Sequence, residues 1–249
     1  MTLHPLAEHF ASVADAYERG RPEYPLAAIG ALTAELGTPP GAPVLDLGAG
    51  TGKVTRALLA AGFDVIAVEP HETLREVLAD SIGAERVLDG RAEAIPLADS
   101  SVDAVTAGDA FHWFDPATAL PEIRRVLRPA GGLAVLSTVP DWSGASWAHE
   151  LGALVQSHRP EHPYFDGAPW QEAVRAADGW SEPQQLRLTT TRPGSPDAIL
   201  AHLGSMSWMA AMPEQEREAA LARMREIIAA GDTPDELPVH FLIGLARLL

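Results

Sequence analysis

The sequence contains no cysteine, and this absence excludes disulfides, thiolate nucleophiles and metal sites built on cysteine ligands. No stretch approaches the roughly 20 apolar residues of a membrane-spanning helix. The N-terminal segment also lacks the basic region followed by an apolar one that is typical of a signal peptide. We therefore expect a cytoplasmic protein that does not associate with membranes.

Basic residues are scarce as well. The chain has 18 Lys and Arg against 34 Asp and Glu, for a formal net charge of −16. A nucleic-acid partner requires a basic face, because contacts with phosphates dominate affinity. Arg124, Arg125 and Arg128 do cluster, but near the end of a predicted helix, where cations suit the helix dipole. The charge balance therefore predicts no nucleic-acid partner.

What the sequence does have is a glycine-rich turn between two apolar segments. Residues 44–47 form a short apolar run, which predicts a parallel strand covered on both faces. A helix is predicted over residues 55–61 and a second buried strand over residues 64–68. The turn that follows the first strand carries alternate glycines, which let a ligand lie against the main chain: Gly48, Gly50 and Gly52.

The second strand ends in an acid, Glu69, about 20 residues after the glycines. An acid at this position accepts hydrogen bonds from ribose hydroxyls in dinucleotide-binding folds, so the unit predicts a cofactor that contains adenosine. Nicotinamide dinucleotides require Gly-x-Gly-x-x-Gly, and Lys53 occupies the third glycine position. Asp46, just before the turn, would oppose a pyrophosphate and suit a cation such as S-adenosylmethionine. A nicotinamide-dependent oxidoreductase remains the alternative.

The pattern acid-x-Gly-x-Gly-x-Gly beginning at Asp46 resembles motif I of class I S-adenosylmethionine-dependent methyltransferases. Other segments match the family in the same order along the chain. They are residues 89–97, 101–105, 109–114 and 128–132, where Ala130 replaces a common glycine, together with the earlier Tyr17-(x)3-Arg21-Pro22-Glu23-Tyr24-Pro25. The likeness is greatest to small-molecule methyltransferases of the ubiquinone-biosynthesis and trans-aconitate type, and it covers about residues 8–139.

The resemblance implies which residues bind the cofactor. Glu93 would lie near the adenine amino group and the Ala92 backbone near the ring. Asp46 would hold the loop or reach the methionine amino group through water. Tyr17 and Arg21 are candidates for capping the methionine carboxylate, with packing against the core as the alternative. The full predicted cofactor set is Tyr17, Arg21, Asp46, Gly48, Ala49, Gly50, Gly52, Glu69, Pro70, Ala92, Glu93, Asp109 and Ala110.

The implied reaction is transfer of a methyl group from S-adenosylmethionine to the O, N or C of a small molecule, leaving S-adenosylhomocysteine. His112 is the candidate general base, because its unperturbed pKa lies near neutrality. In the alternative interpretation, His112 is not catalytic and the aromatic segment around it only lines the cofactor site. Asp109 is the second candidate catalytic residue. A cofactor-binding regulatory or scaffold protein without catalysis remains a further alternative.

Strands and helices alternate from residue 44 to 139, which predicts an α/β fold with a Rossmann-like, doubly wound and mostly parallel sheet. The resemblance implies an antiparallel final strand. We predict a single domain over residues 1–249, with a cofactor-binding core at 40–139. Helical lid insertions are predicted at 140–183 and 195–235, the second of them lying between the last two strands. We also predict a helix over residues 120–127, a strand over 133–137 and a long charged helix with an apolar stripe over 213–230.

The predicted lid regions hold most of the aromatic side chains that could contact an acceptor. The tryptophans indicate an apolar or aromatic acceptor pocket, or else ordinary packing of the inserted helices. His158 and His162 have a spacing seen at metal sites, but Pro160 lies between them, so we predict no metal. The sequence leaves monomer and homodimer open. The tryptophans are Trp113, Trp142, Trp147, Trp170, Trp180 and Trp208.

Overall fold

The computed structural model describes residues 14–141, 146–158, 167–231 and 236–249. The chain divides into two compact units, the larger formed by residues 23–137, 166–188 and 241–249, and the smaller by the remaining stretches. The predicted core falls in the larger unit up to residue 137. The predicted insertion at 195–235 falls in the smaller unit. The organisation as one domain remains a prediction.

Within the described residues, seven strands form a single sheet. Their bounds are β1 Pro43–Leu47, β2 Asp64–Val68, β3 Val87–Leu88, β4 Val102–Gly108, β5 Leu127–Pro140, β6 Gln184–Pro193 and β7 Glu236–Arg247. The order across the sheet is β3-β2-β1-β4-β5-β7-β6. Strands β1 to β5 pair in parallel, and the sheet is completed with an antiparallel strand. The predicted Rossmann-like α/β fold is therefore confirmed.

The helices of the described residues, in chain order, are α1 Ala14–Gly20, α2 Leu26–Leu36, α3 Lys53–Ala60, α4 Glu72–Ile82, α5 Pro116–Val126, α6 Ser146–His158, α7 Trp170–Ala176, α8 Pro196–Gly204, α9 Ser207–Ala210 and α10 Glu214–Ala230. Short 3-10 turns occur at Ala84–Arg86 and Phe111–Trp113. None of these helices is both long enough and apolar enough to cross a bilayer.

The buried strand β1 lies at the centre of the parallel part of the sheet. Val44 is paired with Val65 of β2 on one side and with Ala104 of β4 on the other, and Leu45 and Leu47 are fully buried. Apolar residues on both faces suit a strand covered by helices on each side. Since the strands are parallel, their carboxyl ends meet at one edge, where ligands bind in open α/β sheets.

Three elements of the larger unit differ from the sequence prediction. Helix α5 begins at Pro116 rather than at residue 120, because the Asp115 side chain accepts a hydrogen bond from the Ala117 N–H (3.2 Å) and proline suits the first helical position. Strand β5 starts at Leu127 rather than 133, with a register shift beside Val102 that accommodates the Pro-Ala-Gly run. Helix α4 was not predicted.

The smaller unit has its own hydrophobic core. Helix α1 lies so close to α8 that a β-carbon on Gly20 would be 2.3 Å from the Ala201 carbonyl group. Helix α10 buries Met224 and Ile228 of its predicted apolar stripe. The long predicted helix at 213–230 is therefore confirmed. The core residues include Trp147, Leu151, Ile199, Leu203, Trp208, Met209, Met224, Ile227 and Ile228.

Candidate active site in the larger unit

The glycine turn lies on the end of the neighbouring strand. The Val68 carbonyl oxygen, at the end of β2, accepts hydrogen bonds from the N–H groups of Gly48 (2.8 Å) and Ala49 (3.2 Å). The last carbonyl group of β2 thus holds Gly48 and Ala49, the first residues of the turn, in place. The turn that follows β1 therefore lies directly beside Glu69, as the sequence predicted for a cofactor-binding edge.

Two glycines of the turn have different physical reasons to be glycine. Gly52 has φ 93°, and a β-carbon there would lie 2.4 Å from Leu78 Cδ1, so the close approach of α4 excludes a side chain. Gly50 has φ 57°, but its Cα faces open space, with no atom within 4 Å of a β-carbon position. Open space beside a bare backbone is what a ligand needs to lie against the main chain.

Glu69 closes the turn from the β2 side. Its Oε2 accepts the Gly50 N–H (2.9 Å) and its Oε1 accepts the His71 N–H (2.9 Å). Burial raises the pKa of this carboxyl, and the two backbone N–H donors oppose that rise. Each oxygen keeps a second lone pair. The carboxylate can therefore accept the hydrogen bonds of ribose hydroxyls while it holds the loop.

Asp46 lies beneath the turn and is completely buried. Thr55 Oγ1 donates to its Oδ2 (2.6 Å), and Thr106 Oγ1 donates to its Oδ1 (2.9 Å). Burial raises the pKa of Asp46 to about 6, partly offset by the two threonine hydrogen bonds, and the nearby charge of Glu69 adds to the rise. The carboxyl thus joins β1 to α3 and to β4.

Lys53, which occupies the third glycine position of a nicotinamide motif, forms an ion pair instead. Its Nζ lies 2.5 Å from Glu23 Oε1, and the lysine side chain is only 5% exposed. Arg56 also contacts Glu23 (3.3 Å) and donates to the Thr51 carbonyl oxygen (2.8 Å). Glu23 thereby ties the segment before α2 to the glycine turn. Sequence reasoning quoted this segment but assigned it no such role.

The end of β4 brings the candidate catalytic residues to the same edge of the sheet. Asp109 has φ 50°, a left-handed conformation that aspartate tolerates better than most residues. It turns the chain into the 3-10 turn that carries His112. A β-carbon on Gly48 would lie 2.9 Å from Ala110 Cβ and 3.5 Å from the Phe114 ring. The segment after β4 therefore lies against the glycine turn.

Asp109 and His112 have identified neighbours. The Tyr24 hydroxyl donates to Asp109 Oδ2 over 3.5 Å, and the Tyr24 ring meets Phe241 edge-on at 5.3 Å. The half-buried His112 ring lies 4.7 Å from the Trp113 ring. Tyr24 is a second residue of the pre-core segment that sequence reasoning did not assign to the site.

The predicted adenine-side residues follow β3. Ala92 is buried in the hydrophobic core of the larger unit. Glu93 is half-buried, and its Oε1 accepts the Asp115 N–H over 2.9 Å, which ties its loop to the start of α5. On the other side of the site, Arg75 donates to the carbonyl oxygens of Glu69 (3.1 Å) and Pro70 (2.6 Å). Arg75 was missed because α4 was not predicted.

Tyr17 and Arg21 belong to the smaller unit. The Arg21 guanidinium lies over the Tyr17 ring at 5.5 Å from its centroid, and Arg21 Nε donates to Ser205 Oγ (3.1 Å). Within their own unit, the two side chains are thus arranged against each other. Their role in capping the methionine carboxylate remains a prediction.

The residues of the turn fit S-adenosylmethionine. The side chain of Thr51 is buried in the turn, and its Oγ1 has no hydrogen-bond partner among the described residues. An orphaned hydroxyl beside an open backbone indicates a polar ligand. Two buried carboxyls, Asp46 and Glu69, add negative potential, which suits a cationic ligand and opposes a pyrophosphate.

Comparisons with known proteins agree with this geometry. A family model described as "Methyltransferase domain" matches residues 45–135, which run from β1 to β5. An uncharacterised methyltransferase of Mycobacterium tuberculosis is 39% identical over 222 residues, covering 88% of this chain and 85% of that one. An uncharacterised methyltransferase of Schizosaccharomyces pombe is 33% identical over 218 residues, covering 85% and 84%.

A solved structure also resembles most of the chain. A protein of Anaeromyxobacter dehalogenans assigned to the type II methyltransferases has a TM-score of 0.64 and 29% identity, covering 92% of this chain and 97% of that one. These similarities remove the nicotinamide-dependent oxidoreductase as an alternative. They do not single out the ubiquinone-biosynthesis or trans-aconitate branch. The chain belongs to the class I S-adenosylmethionine-dependent methyltransferases.

Proposed function

We propose that the protein methylates a small molecule at O, N or C, and that the edge formed by the turn after β1 and the segment after β4 is its active site. The observation that carries the proposal is the packing of Ala110 and Phe114 against Gly48. It brings the candidate catalytic residues to the loop with the open backbone at Gly50. A cofactor held by that loop would therefore lie beside the residues that meet the acceptor.

Glu69 is proposed to bind the ribose hydroxyls and Gly50 to let the cofactor approach the backbone. S-adenosylmethionine supplies a methyl group already activated on a sulfonium, so in-line displacement requires no covalent intermediate with the protein. The contribution of the chain is then alignment and proximity. Rigid placement of the loop is what achieves this, and the hydrogen bonds of Gly48, Ala49 and Gly50 provide it.

Asp46 is proposed to hold the loop rather than to contact the cofactor. Each of its oxygens is bonded to a threonine hydroxyl, and no part of the residue is exposed. The sequence left both roles open. The hydrogen bonds to Thr55 and Thr106 favour the structural one, with the charge of Asp46 still adding to the negative potential of the site.

On the acceptor side, His112 is proposed as the general base and Asp109 as a hydrogen-bond acceptor for the cofactor amine or the substrate. Both follow β4, where the chain turns beside Ala110. Deprotonation of a hydroxyl or acidic carbon by histidine is effective near neutral pH, because the histidine pKa lies there. If the acceptor is an unprotonated amine, no base is required, and His112 would only line the site.

The tryptophans do not strengthen the case for an aromatic acceptor. Trp147 and Trp208 are buried in the core of the smaller unit, and Trp180 is buried in the core of the larger unit. These positions match the packing alternative. Trp113, whose ring lies beside that of His112, is half-buried. Trp142 lies outside the described residues. The acceptor is therefore proposed only as a small molecule.

A labelling experiment tests the proposal. The purified protein is incubated with S-adenosylmethionine labelled in its methyl group and with a cell extract separated into small molecules, proteins and nucleic acids. We expect label to appear in the small-molecule fraction and to depend on Glu69, so that Glu69→Ala serves as the inactive control. The labelled compound then identifies the acceptor. Label in the protein or nucleic-acid fraction would contradict the proposed acceptor class.

Cofactor binding is measured separately by calorimetric titration with S-adenosylmethionine, S-adenosylhomocysteine and, as a control, NADH. Micromolar binding of the two adenosyl compounds and not of NADH is expected. If both bind and no fraction is labelled, the site binds the cofactor but the proposed transfer to small molecules is wrong. The two measurements thus separate the cofactor site from the acceptor.

A further inference from the structure

The Glu122–Arg125 pair of helix α5 holds the loop that follows β3, residues 89–99, which we call the base-side loop. Arg125 Nε and one terminal nitrogen of Arg125 donate to the two carboxylate oxygens of Glu122, each over 2.8 Å. The guanidinium thus uses all five of its N–H donors, because the remaining three are donated to oxygens of the loop. These acceptors are the carbonyl oxygens of Ile95 (2.9 Å) and Leu97 (2.7 Å) and Asp99 Oδ1 (2.9 Å).

Glu122 also bonds to the base-side loop directly. Its Oε2 accepts the Ile95 N–H (2.9 Å), so the pair holds both the N–H and the carbonyl group of this one residue. The hydrogen bonds with Arg125 lower the pKa of Glu122, against the opposing effect of burial. The carboxylate therefore stays ionised at neutral pH, where a bidentate pair of this kind is strong.

Glu93 lies between two fixed points of the base-side loop. On one side Ile95 is held by the pair, and on the other Ala92 is 2% exposed and packs in the core of the larger unit. Glu93 Oε1 accepts the Asp115 N–H (2.9 Å) at the start of α5. The same helix therefore fixes the loop through its first turn and through its last turn.

The base-side loop borders the proposed ribose site. A β-carbon on Gly90 would lie 3.1 Å from Val68, the residue before Glu69, and the Leu88 carbonyl oxygen accepts the Glu69 N–H (3.2 Å). In a nucleoside the base is joined directly to the ribose, so a ribose bound by Glu69 brings its base close to this neighbouring loop. A carboxylate such as that of Glu93 is an acceptor for the amino group of adenine.

We propose that Glu122 and Arg125 are positioning residues for recognition of the base: they fix the base-side loop so that Glu93 meets the amino group of adenine. The inference rests on the cofactor site proposed above and adds to it two residues of α5. They act through the backbone of Ile95 and Leu97. A group that discriminates between ligands has to be held within about 0.5 Å by its supporting contacts, and the pair provides that support.

This role predicts a change in selectivity and not only in affinity. A fixed carboxylate accepts the amino group of adenine but opposes the oxygen that hypoxanthine carries at the same position, because both groups are then acceptors. If the loop were free to move, the carboxylate could withdraw from that oxygen. Loss of the pair should therefore weaken the distinction between the two bases.

Calorimetric titration of the full chain measures this selectivity. The ligands are S-adenosylhomocysteine and S-inosylhomocysteine, in which an oxygen replaces the amino group of adenine. We expect the wild type to prefer the adenosyl compound by about tenfold or more, since the analogue loses a hydrogen bond to a charged acceptor. Arg125→Met should weaken binding of the adenosyl compound and reduce the preference to within about twofold.

A loss of stability alone does not give this result, because partial unfolding lowers the apparent affinity for both compounds by the same factor. Thermal unfolding establishes that each variant is folded at the temperature of the titration. Arg125→Lys keeps the charge and a donor for the loop but not the planar fork, so it should recover part of the preference. Glu122→Gln, which keeps an acceptor for the Ile95 N–H, should also retain part of it.

Arg124→Met is the matched control. Arg124 precedes Arg125 on α5, is exposed, and donates to the Asp178 carbonyl oxygen (3.2 Å), outside the base-side loop. This variant should keep both Kd values within about twofold of the wild type.

An unchanged preference in folded Arg125→Met would overturn the proposal, as would a wild type that binds both compounds equally. Either result would leave the proposed methyl transfer untouched, because the titrations involve no acceptor. If the wild type bound neither compound, the cofactor site on which the inference rests would be wrong, and the inference with it.

Discussion

Glu69 and Gly50 are joined by a hydrogen bond from the Gly50 N–H to Glu69 Oε2, 2.9 Å long. The bond connects the acid that ends β2 with the loop that follows β1. The carboxylate proposed to bind the ribose is thus also a structural partner of the loop that approaches the cofactor. Changes at Glu69 should therefore affect both the binding of the cofactor and the shape of the loop.

Glu69→Ala is expected to weaken binding of S-adenosylhomocysteine by about tenfold or more, because hydrogen bonds to a charged acceptor contribute roughly 1.5–3 kcal/mol. Calorimetric titration measures the Kd. Circular dichroism and thermal unfolding check that the fold is retained. Glu69→Gln is expected to bind poorly too, since its amide group has only one acceptor oxygen for the two backbone N–H donors.

Glu72→Ala is the control for that experiment, since Glu72 is exposed in the first turn of α4. It should leave the Kd within about twofold, as surface substitutions have small effects. Unchanged cofactor affinity in a folded Glu69→Ala variant would refute the proposed ribose contact.

Substitution of the two glycines Gly50 and Gly52 should affect different properties of the protein, the first the binding of the cofactor and the second the stability of the fold. Gly52→Ala adds a methyl group 2.4 Å from Leu78 Cδ1 at a residue with φ 93°, and we expect a loss of about 2–4 kcal/mol in the free energy of unfolding. Gly50→Ala meets open space, so its cost should be about 1 kcal/mol from the backbone alone. Chemical denaturation compares the two variants.

For the affinity of the cofactor, we expect the opposite order, with Gly50→Ala more damaging than Gly52→Ala. Gly50→Ala is expected to abolish measurable binding, because its methyl group would fill the space where the ligand approaches the backbone. Gly62→Ala, also at positive φ with no nearby atom but beyond the end of α3, controls for the backbone strain. If Gly50→Ala binds the cofactor normally, the open space at Gly50 is not the ligand site.

Asp46 should give the stability of the protein a recognisable pH dependence. Its pKa in the folded state is about 6, above the unfolded value of 3.8, so the folded state binds more protons between these values. Its contribution therefore falls as pH rises from about 4 to about 6, by roughly 3 kcal/mol in all. Asp46→Asn removes this decline.

The measurement is the difference in unfolding free energy between Asp46→Asn and wild type at several pH values, from denaturant titrations. The difference should shift in favour of the variant as pH rises through the window. Asp80→Asn, an exposed acid on α4, should show no such trend. A flat difference for Asp46→Asn would mean that the carboxyl titrates normally in the folded protein.

The strands of the parallel core could be predicted because a strand that is buried on both faces consists of contiguous apolar residues. Strand β2 matches the predicted 64–68, and β1 contains the predicted Val44 to Leu47. The ends of helices were less predictable. Helix α3 begins at Lys53 because Gly52 adopts a left-handed conformation at its N-cap. The spacing of apolar residues in the sequence does not indicate this start. Helix α4 buries only Leu74 and Leu78, too few to give a clear stripe.

Contacts distant in sequence were beyond prediction. The partners of Lys53 and Asp109, Glu23 and Tyr24, lie in a segment quoted only for its resemblance to the family. The pairing of Arg21 with Ser205 spans most of the chain. Such contacts depend on how elements pack, whereas the glycine turn and Glu69 follow from local chemistry and could be recognised in the sequence alone.

His112 provides the last test, on catalysis itself. If it is the general base, His112→Ala should lower turnover with the identified acceptor by about 100-fold or more, with little change in the Kd of S-adenosylhomocysteine. The wild-type rate should also fall as pH drops below the histidine pKa, and this dependence should vanish in the variant. His149→Ala, an exposed histidine on α6, should behave as wild type. Near-normal turnover combined with weaker cofactor binding would instead favour the alternative, in which His112 only lines the cofactor site.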